Sequence, residues 1–165
     1  MNKLVINNDQ LKGLVAKICR DISNSGWRPD YVVGLTRGGL IPAVMISHYF
    51  GVPCETLKVS LRDGGECESN LWMAEDAFNG KNILIVDDIN DTGATFNWIL
   101  KDWPSGIYSD KERWDTIWNG NVKFAVLVDN LSSQCDAKMD YASMEINKAE
   151  NDVWVDFPWE SWFQR

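Results

Sequence analysis

Three short, nearly unbroken apolar runs constrain this chain more than any other feature. They are Tyr31-Val32-Val33-Gly34-Leu35, Ile83-Leu84-Ile85-Val86 and Val122-Lys123-Phe124-Ala125-Val126-Leu127-Val128. A strand with one wet face alternates apolar and polar residues, whereas a strand apolar on both faces belongs in a parallel sheet covered on both sides. The runs are separated by stretches with helical character. Strand alternating with helix specifies an α/β fold, a mainly parallel twisted sheet flanked by helices.

The intervening segments fill in this plan. Leu11, Leu14, Val15, Ile18 and Ile22 recur at helical spacing over residues 8–23, with Asn8 or Asp9 as the expected N-cap and Gly26 and Pro29 as the stop. Residues 40–50 read as a helix, 54–60 as a strand, and the polar, glycine-bearing stretch 62–70 as a loop. A helix is expected over 96–102, stopped by Pro104. Residues 104–120 read as an irregular insertion whose Trp114 and Trp118 pack locally or at a subunit contact. Beyond the third run the chain is polar until Val153-Trp154-Val155-Asp156-Phe157-Pro158-Trp159. With 165 residues, no repeats and no linker, a single domain over 1–165 is expected.

Composition removes several classes of function. The net charge is −8 and the pI about 4.6, so broad attraction to nucleic acid or to an anionic membrane is disfavoured. No apolar run approaches the roughly 20 residues that span a bilayer, and the N-terminus lacks a signal-peptide core, so the cytoplasm is the expected compartment. Cys19, Cys54, Cys67 and Cys135 form no C-x-x-C pair and read as reduced structural thiols. The lone histidine, His48, sits on an apolar stretch, which argues against zinc hydrolase and histidine-triad chemistry.

The chemistry concentrates directly after the second run, in Asp87-Asp88-Ile89-Asn90-Asp91-Thr92-Gly93-Ala94-Thr95. Ligands of open α/β sheets bind beyond the carboxyl ends of the strands, where this segment lies. Carboxylates so close together repel unless a cation or hydrogen-bond donors share the site. Adjacent aspartates suit Mg2+ and sugar hydroxyls, and small hydroxyl-bearing residues opening a helix suit a phosphate. A solvated acidic turn with Asp91 or Thr92 as a cap would explain one of these carboxylates but not three. Thr36-Arg37-Gly38-Gly39, after the first run, adds a guanidinium fork for phosphate oxygens and a backbone that can approach closely.

The segment 83–95 resembles the signature of the type I phosphoribosyltransferase family. Within it, the chain is similar to the bacterial xanthine-guanine phosphoribosyltransferases. Val33-Gly34-Leu35-Thr36-Arg37-Gly38-Gly39-Leu40-Ile41-Pro42 is similar to their pyrophosphate loop, and Val153-Trp154-Val155-Asp156-Phe157-Pro158-Trp159-Glu160 to their C-terminal base-binding segment. The likeness covers roughly residues 5–100 and 120–160. It implies the type I phosphoribosyltransferase fold with a small C-terminal hood, approximately 130–165. It also implies transfer of ribose 5-phosphate from phosphoribosyl pyrophosphate to a base, a 6-oxopurine such as guanine, xanthine or hypoxanthine, in purine salvage. Mg2+ is the implied cofactor and a homo-oligomer, dimer or tetramer, the implied assembly.

The resemblance also implies roles for single residues. Thr36, Arg37 and Gly38 would hold pyrophosphate, with the Thr36–Arg37 peptide the candidate for a cis bond. Asp87 and Asp88 would meet the ribose hydroxyls, Asp88 also touching the metal. Asp91, Thr92, Gly93, Ala94 and Thr95 would wrap the 5-phosphate, and Asp91 would also manage a proton of the purine, so that Asp91 and Arg37 are the catalytic pair. Ile89, Trp154 and Val155 would bound the base.

Two departures from the family stand out. Its purine enzymes carry a lysine at the end of the strand matching the third run, where this chain has Asp129-Asn130-Leu131, so Asn130 is the expected donor to the base. The basic residue of the family's pyrophosphate-covering loop has Arg62 as its only counterpart. Two other readings stay open. One is a non-catalytic relative that senses phosphoribosyl pyrophosphate. The other is a Mg2+-dependent phosphatase with Asp87 as nucleophile, which the Asp-Asp pair fits poorly.

Overall fold

The computed structural model describes residues 2–59, 61, 67–107 and 110–164. In chain order the elements are β1 (Asn2–Val5), α1 (Asn8–Ser25), β2 (Tyr31–Thr36), α2 (Leu40–Phe50), β3 (Cys54–Lys58) and α3 (Leu71–Phe78). They continue as β4 (Ile83–Asn90), α4 (Ala94–Gly106), α5 (Lys111–Ile117), β5 (Val122–Asn130), β6 (Tyr141–Ile146), β7 (Val153–Asp156) and a 3-10 turn (Trp162–Gln164).

Among the described residues, five strands form one sheet in the order β3-β2-β4-β5-β6, with every neighbouring pair parallel. Strand side chains alternate between two cores. Tyr31, Val33, Leu35, Ile83 and Ile85 join α3, α4 and α5 through Met73, Phe96, Ile99, Trp103 and Trp114. Val32, Leu84 and Val86 join α1 and α2 through Val15, Ile18, Ala43 and Ile46. The parallel α/β sheet expected from the apolar runs is therefore present, covered on both faces. No described helix is long and apolar enough to cross a membrane.

The boundaries depart from expectation where side-chain polarity misleads. Asn7, not Asn8 or Asp9, caps α1: its side chain accepts from the Gln10 N–H while the Gln10 side chain accepts from the Asn7 N–H, both at 2.8 Å. β4 and β5 run past their apolar residues because ladder pairing continues, Ile89 opposite Val128 and Asn90 opposite Asp129. Backbone hydrogen bonding does not require apolar side chains. Pro104 lies within the last turn of α4, which runs to Gly106, so it does not stop the helix. Near a helix end a proline removes a single bond, and the adjacent Trp103, 1% exposed, anchors that turn in the core.

The expected irregular insertion contains α5, capped by Asp110 on the Arg113 N–H at 3.1 Å. Trp114 and Trp118 stack at 5.3 Å, and Trp118 reaches Trp103 at 5.8 Å and Phe124 at 5.9 Å. These tryptophans pack locally. The polar stretch before residue 153 contains β6, the edge strand of the main sheet, so the hood begins later than residue 130. The hood is built on β7, which pairs in parallel with β1 at the opposite end of the sequence.

Candidate active site

β2 and β4 are neighbours, yet the chain leaves β2 toward β3 on one side and β4 toward β5 on the other. At such a topological switch point the loops after the two strands diverge and leave a crevice. A cleft of about 260 Å³ lies there, lined by Arg37 and Gly38 after β2, by residues 87–96 on and after β4, and by Lys148, Trp154, Val155, Phe157 and Glu160 from the C-terminal part of the chain.

The two loops fit together closely. The Thr36–Arg37 peptide is cis. A Cβ on Gly38 would collide with the Asp88 carboxylate, and one on Gly39 with the carbonyl oxygens of Val86 and Leu35. At Gly39 a side chain would press on backbone that cannot move aside, whereas at Gly38 it would displace the Asp88 carboxylate from its place against the β2 loop. The carboxylates are oriented by the backbone: the Asp88 N–H donates to Asp87 Oδ1 at 2.9 Å and the Ile89 N–H to Asp88 Oδ1 at 2.7 Å.

α4 then follows its N-cap Gly93, whose φ of 90° is the left-handed region and which has no capping side chain; the Ala94 N–H donates to Thr92 Oγ1 at 3.3 Å. The N-terminus of this 13-residue helix thus faces the cleft with donors and a positive dipole end. The segment after β5 braces it. Gln134 N–H donates to the Thr92 carbonyl at 2.9 Å, Asn97 Nδ2 to the Gln134 carbonyl at 2.9 Å, and Asp136 N–H to Asn97 Oδ1 at 2.7 Å. A side chain at Gly93 would collide with Cys135, so glycine is needed there twice over.

Of the residues singled out from the sequence, Arg37, Gly38, Asp87, Asp88, Ile89, Asp91, Thr92, Gly93, Ala94, Thr95, Trp154 and Val155 all border this one cleft. Thr36 ends β2 and is not among its lining residues. Arg62 lies outside the described residues. Asn130 requires a correction. It is 4% exposed and does not line the cleft. Its Nδ2 donates to the Asp91 carbonyl at 2.8 Å, and its Oδ1 accepts from Ser132 Oγ and from the backbone N–H of Ser132 and Lys148. Asn130 is a buried tie between three segments because its amide finds backbone partners before it can reach a base.

A second charged donor in the lining of the cleft, besides Arg37, is Lys148, in the turn between β6 and β7. Its Nζ lies 3.0 Å from Asp91 Oδ1, with the two side chains 18% and 16% exposed, and 5.9 Å from the centre of the Trp154 ring. Nothing in Asn147-Lys148-Ala149-Glu150-Asn151 distinguishes this lysine from a solvated turn residue, so reading the sequence missed it.

Comparison with known proteins agrees with this geometry. The family model described as phosphoribosyl transferase domain matches residues 5–162. Xanthine phosphoribosyltransferase 1 of Saccharomyces cerevisiae is 21% identical over 188 aligned residues, covering 96% of this chain and 90% of the yeast protein. Xanthine-guanine phosphoribosyltransferase of Cereibacter sphaeroides is 28% identical, covering 83% of this chain and 71% of its own length. The fold is shared with the purine phosphoribosyltransferase structure from Pyrococcus horikoshii, at a TM-score of 0.69 and 24% identity over 98% of this chain and 96% of that one.

Proposed function

The chain belongs to the phosphoribosyl transferase domain family, and on that premise we propose that it transfers ribose 5-phosphate from phosphoribosyl pyrophosphate to a 6-oxopurine, releasing pyrophosphate. The observation that carries this reading is the convergence of the Arg37-Gly38 loop and the 87–95 loop on one cleft, with the Asp88 carboxylate against Gly38. Relatives named for xanthine and guanine support the choice of base.

Each group has a task that its position suits. The leading N–H groups of α4, with Thr92 and Thr95, take the 5-phosphate. Asp87 and Asp88, held by backbone donors, accept hydrogen bonds from the ribose hydroxyls. Breaking the C1–pyrophosphate bond leaves positive charge on the ribose ring and negative charge on the departing group, and Arg37 stabilises the latter through its planar fork. Asp91 accepts the imidazole proton of the purine as the new glycosidic bond forms. Trp154 offers its ring to the face of the base. Holding base and C1 in line supplies much of the remaining acceleration, and no covalent nucleophile is required.

The donor set fits Mg2+. Among the described residues no three acidic, histidine or cysteine side chains cluster to cage a metal by themselves. Mg2+ ordinarily takes one or two carboxylates, water and the phosphate oxygens of its substrate, and Asp88 beside Asp87 offers that pair. When bound, the ion supplies charge neutralisation on the pyrophosphate oxygens. Asp88→Asn, which removes charge but not volume, should abolish most Mg2+-dependent binding of phosphoribosyl pyrophosphate; unchanged calorimetric titrations would overturn the metal assignment.

Incubation with Mg2+, phosphoribosyl pyrophosphate and a panel of bases, followed by chromatography for nucleotides, tests the activity. Product with guanine, xanthine or hypoxanthine is expected. Tight binding of phosphoribosyl pyrophosphate with transfer to no base would identify the non-catalytic sensor instead. A cytoplasmic homo-oligomer, dimer or tetramer, accompanies this reading, and light scattering of the purified protein tests the assembly.

A further inference from the structure

The lining of the cleft contains two cationic side chains among its described residues, Arg37 and Lys148. Arg37 stands on the β2 loop beside Gly38, whose α-carbon lies against the Asp88 carboxylate. Lys148, from the turn between β6 and β7, is joined to Asp91 and adjacent to Trp154. We propose that Lys148 is the residue that reads the base, its Nζ donating to the exocyclic oxygen of a 6-oxopurine seated against Trp154, with Asn130 as the positioning residue that delivers it. This assignment rests on the reading of the cleft as a site of phosphoribosyl transfer.

Three observations support it. An ammonium carries three donors and no acceptor, so after one is given to Asp91 others remain for a carbonyl oxygen. The pair is largely removed from water, where a charged donor discriminates strongly between a partner that accepts and one that does not. A 6-oxo group accepts from Nζ; a 6-amino group presents its own hydrogens and is rejected. Finally, the backbone of Lys148 is held in place: its N–H is gripped by Asn130 Oδ1 at 3.0 Å while Asn130 Nδ2 holds the Asp91 carbonyl at 2.8 Å. One buried amide thereby sets the separation between the acidic loop and the turn bearing the lysine. The end of β5 contributes no charged side chain to the base; it contributes the tie that brings in a lysine from the next connection.

Lys148→Met keeps the apolar stem and removes the donor. Calorimetric titration of wild type and variant with guanosine 5′-monophosphate, adenosine 5′-monophosphate and ribose 5-phosphate tests the assignment without depending on turnover. Affinity for the guanine nucleotide should fall about 10- to 100-fold, the worth of one hydrogen bond to a charged donor, while the other two ligands change by no more than about twofold. If the methionine variant fails to fold, Lys148→Gln, which is shorter and uncharged, should show the same pattern. Equal losses for all three ligands would mean that Lys148 acts through structure, and an unchanged preference for guanine would mean that another group reads the base; either overturns the proposal. A protein that transfers ribose phosphate to no base yet keeps a Lys148-dependent preference for the 6-oxopurine nucleotide defeats the activity and sustains this assignment. An active enzyme whose preference ignores Lys148 defeats this assignment alone.

Discussion

The Asp88 carboxylate lies so close to the α-carbon of Gly38 that a single methyl group there would overlap its Oδ2, whereas at the neighbouring Gly39 a methyl would meet main-chain atoms of three other residues. The two glycines hold the same loop against β4, but different things must yield when they are replaced.

Gly38→Ala should therefore act mainly on the ligand. The end of a side chain can rotate away, so folding stability should change little while phosphoribosyl pyrophosphate binds much more weakly. Gly39→Ala presses on the carbonyl oxygens of Val86 and Leu35 and on the Asp87 α-carbon, which cannot rotate, and should cost about 1–3 kcal/mol of stability as overpacking does. Urea midpoints beside calorimetry decide; equal destabilisation by both variants would show that Asp88 is as fixed as the backbone.

Arg37→Lys keeps the charge and loses the bidentate fork. Affinity for pyrophosphate should fall clearly, with a smaller change for a nucleoside monophosphate, since on the proposed reading the β2 loop holds the pyrophosphate that a monophosphate lacks. Competition binding with both ligands measures this. A common loss would assign Arg37 to the architecture of the loop.

Trp114 is 2% exposed, stacks on Trp118 and faces Phe78 at 6.1 Å, and it is not among the residues lining the cleft. Trp114→Ala should cost about 3–5 kcal/mol through the cavity it leaves. Affinity for phosphoribosyl pyrophosphate, expressed per folded molecule, should be retained. Chemical denaturation with binding measured well below the melting transition checks both halves.

Burial pushes the Asp129 carboxyl above the ordinary range, with Glu145 adding to the rise and the hydrogen bond from Asn90 opposing it. Between the ordinary aspartate pKa and this raised one the native state holds a proton that the unfolded chain has lost. Stability must fall as pH rises through that window and level off above it. Asp129→Asn should remove that part of the slope, seen as a gap from wild type that opens with rising pH in urea melts. Parallel profiles for the two proteins would exclude Asp129 as the source.

Much of the site was legible in the sequence because it is local. Asp87, Asp88, Asp91, Thr92 and Gly93 follow directly on the apolar run of β4, and a buried strand ending in carboxylates and a glycine turn declares its place at the edge of a parallel sheet whatever the rest of the chain does. The same holds for Arg37-Gly38-Gly39 after β2. Helices and strands with long, two-sided apolar patterns were legible for the same reason.

The remainder depended on contacts between distant segments. β1 and β7 pair across nearly the whole chain, and β6 is a partly wet edge strand whose pattern carries little periodicity. α5 offers only Trp114 and Ile117 as buried positions, too few to reveal a helix. Asn130 and Lys148 show the limit most plainly. By sequence position Asn130 stood where a base-facing donor was expected and Lys148 in an ordinary polar turn. The tertiary structure buries Asn130 and brings Lys148 to the cleft, because a buried amide must satisfy its hydrogen bonds and finds them in the backbone of residues 91, 132 and 148. Which polar groups the fold brings within 3 Å of one another is a property of the packed chain, and it made Asn130 the scaffold and Lys148 the charge at the cleft.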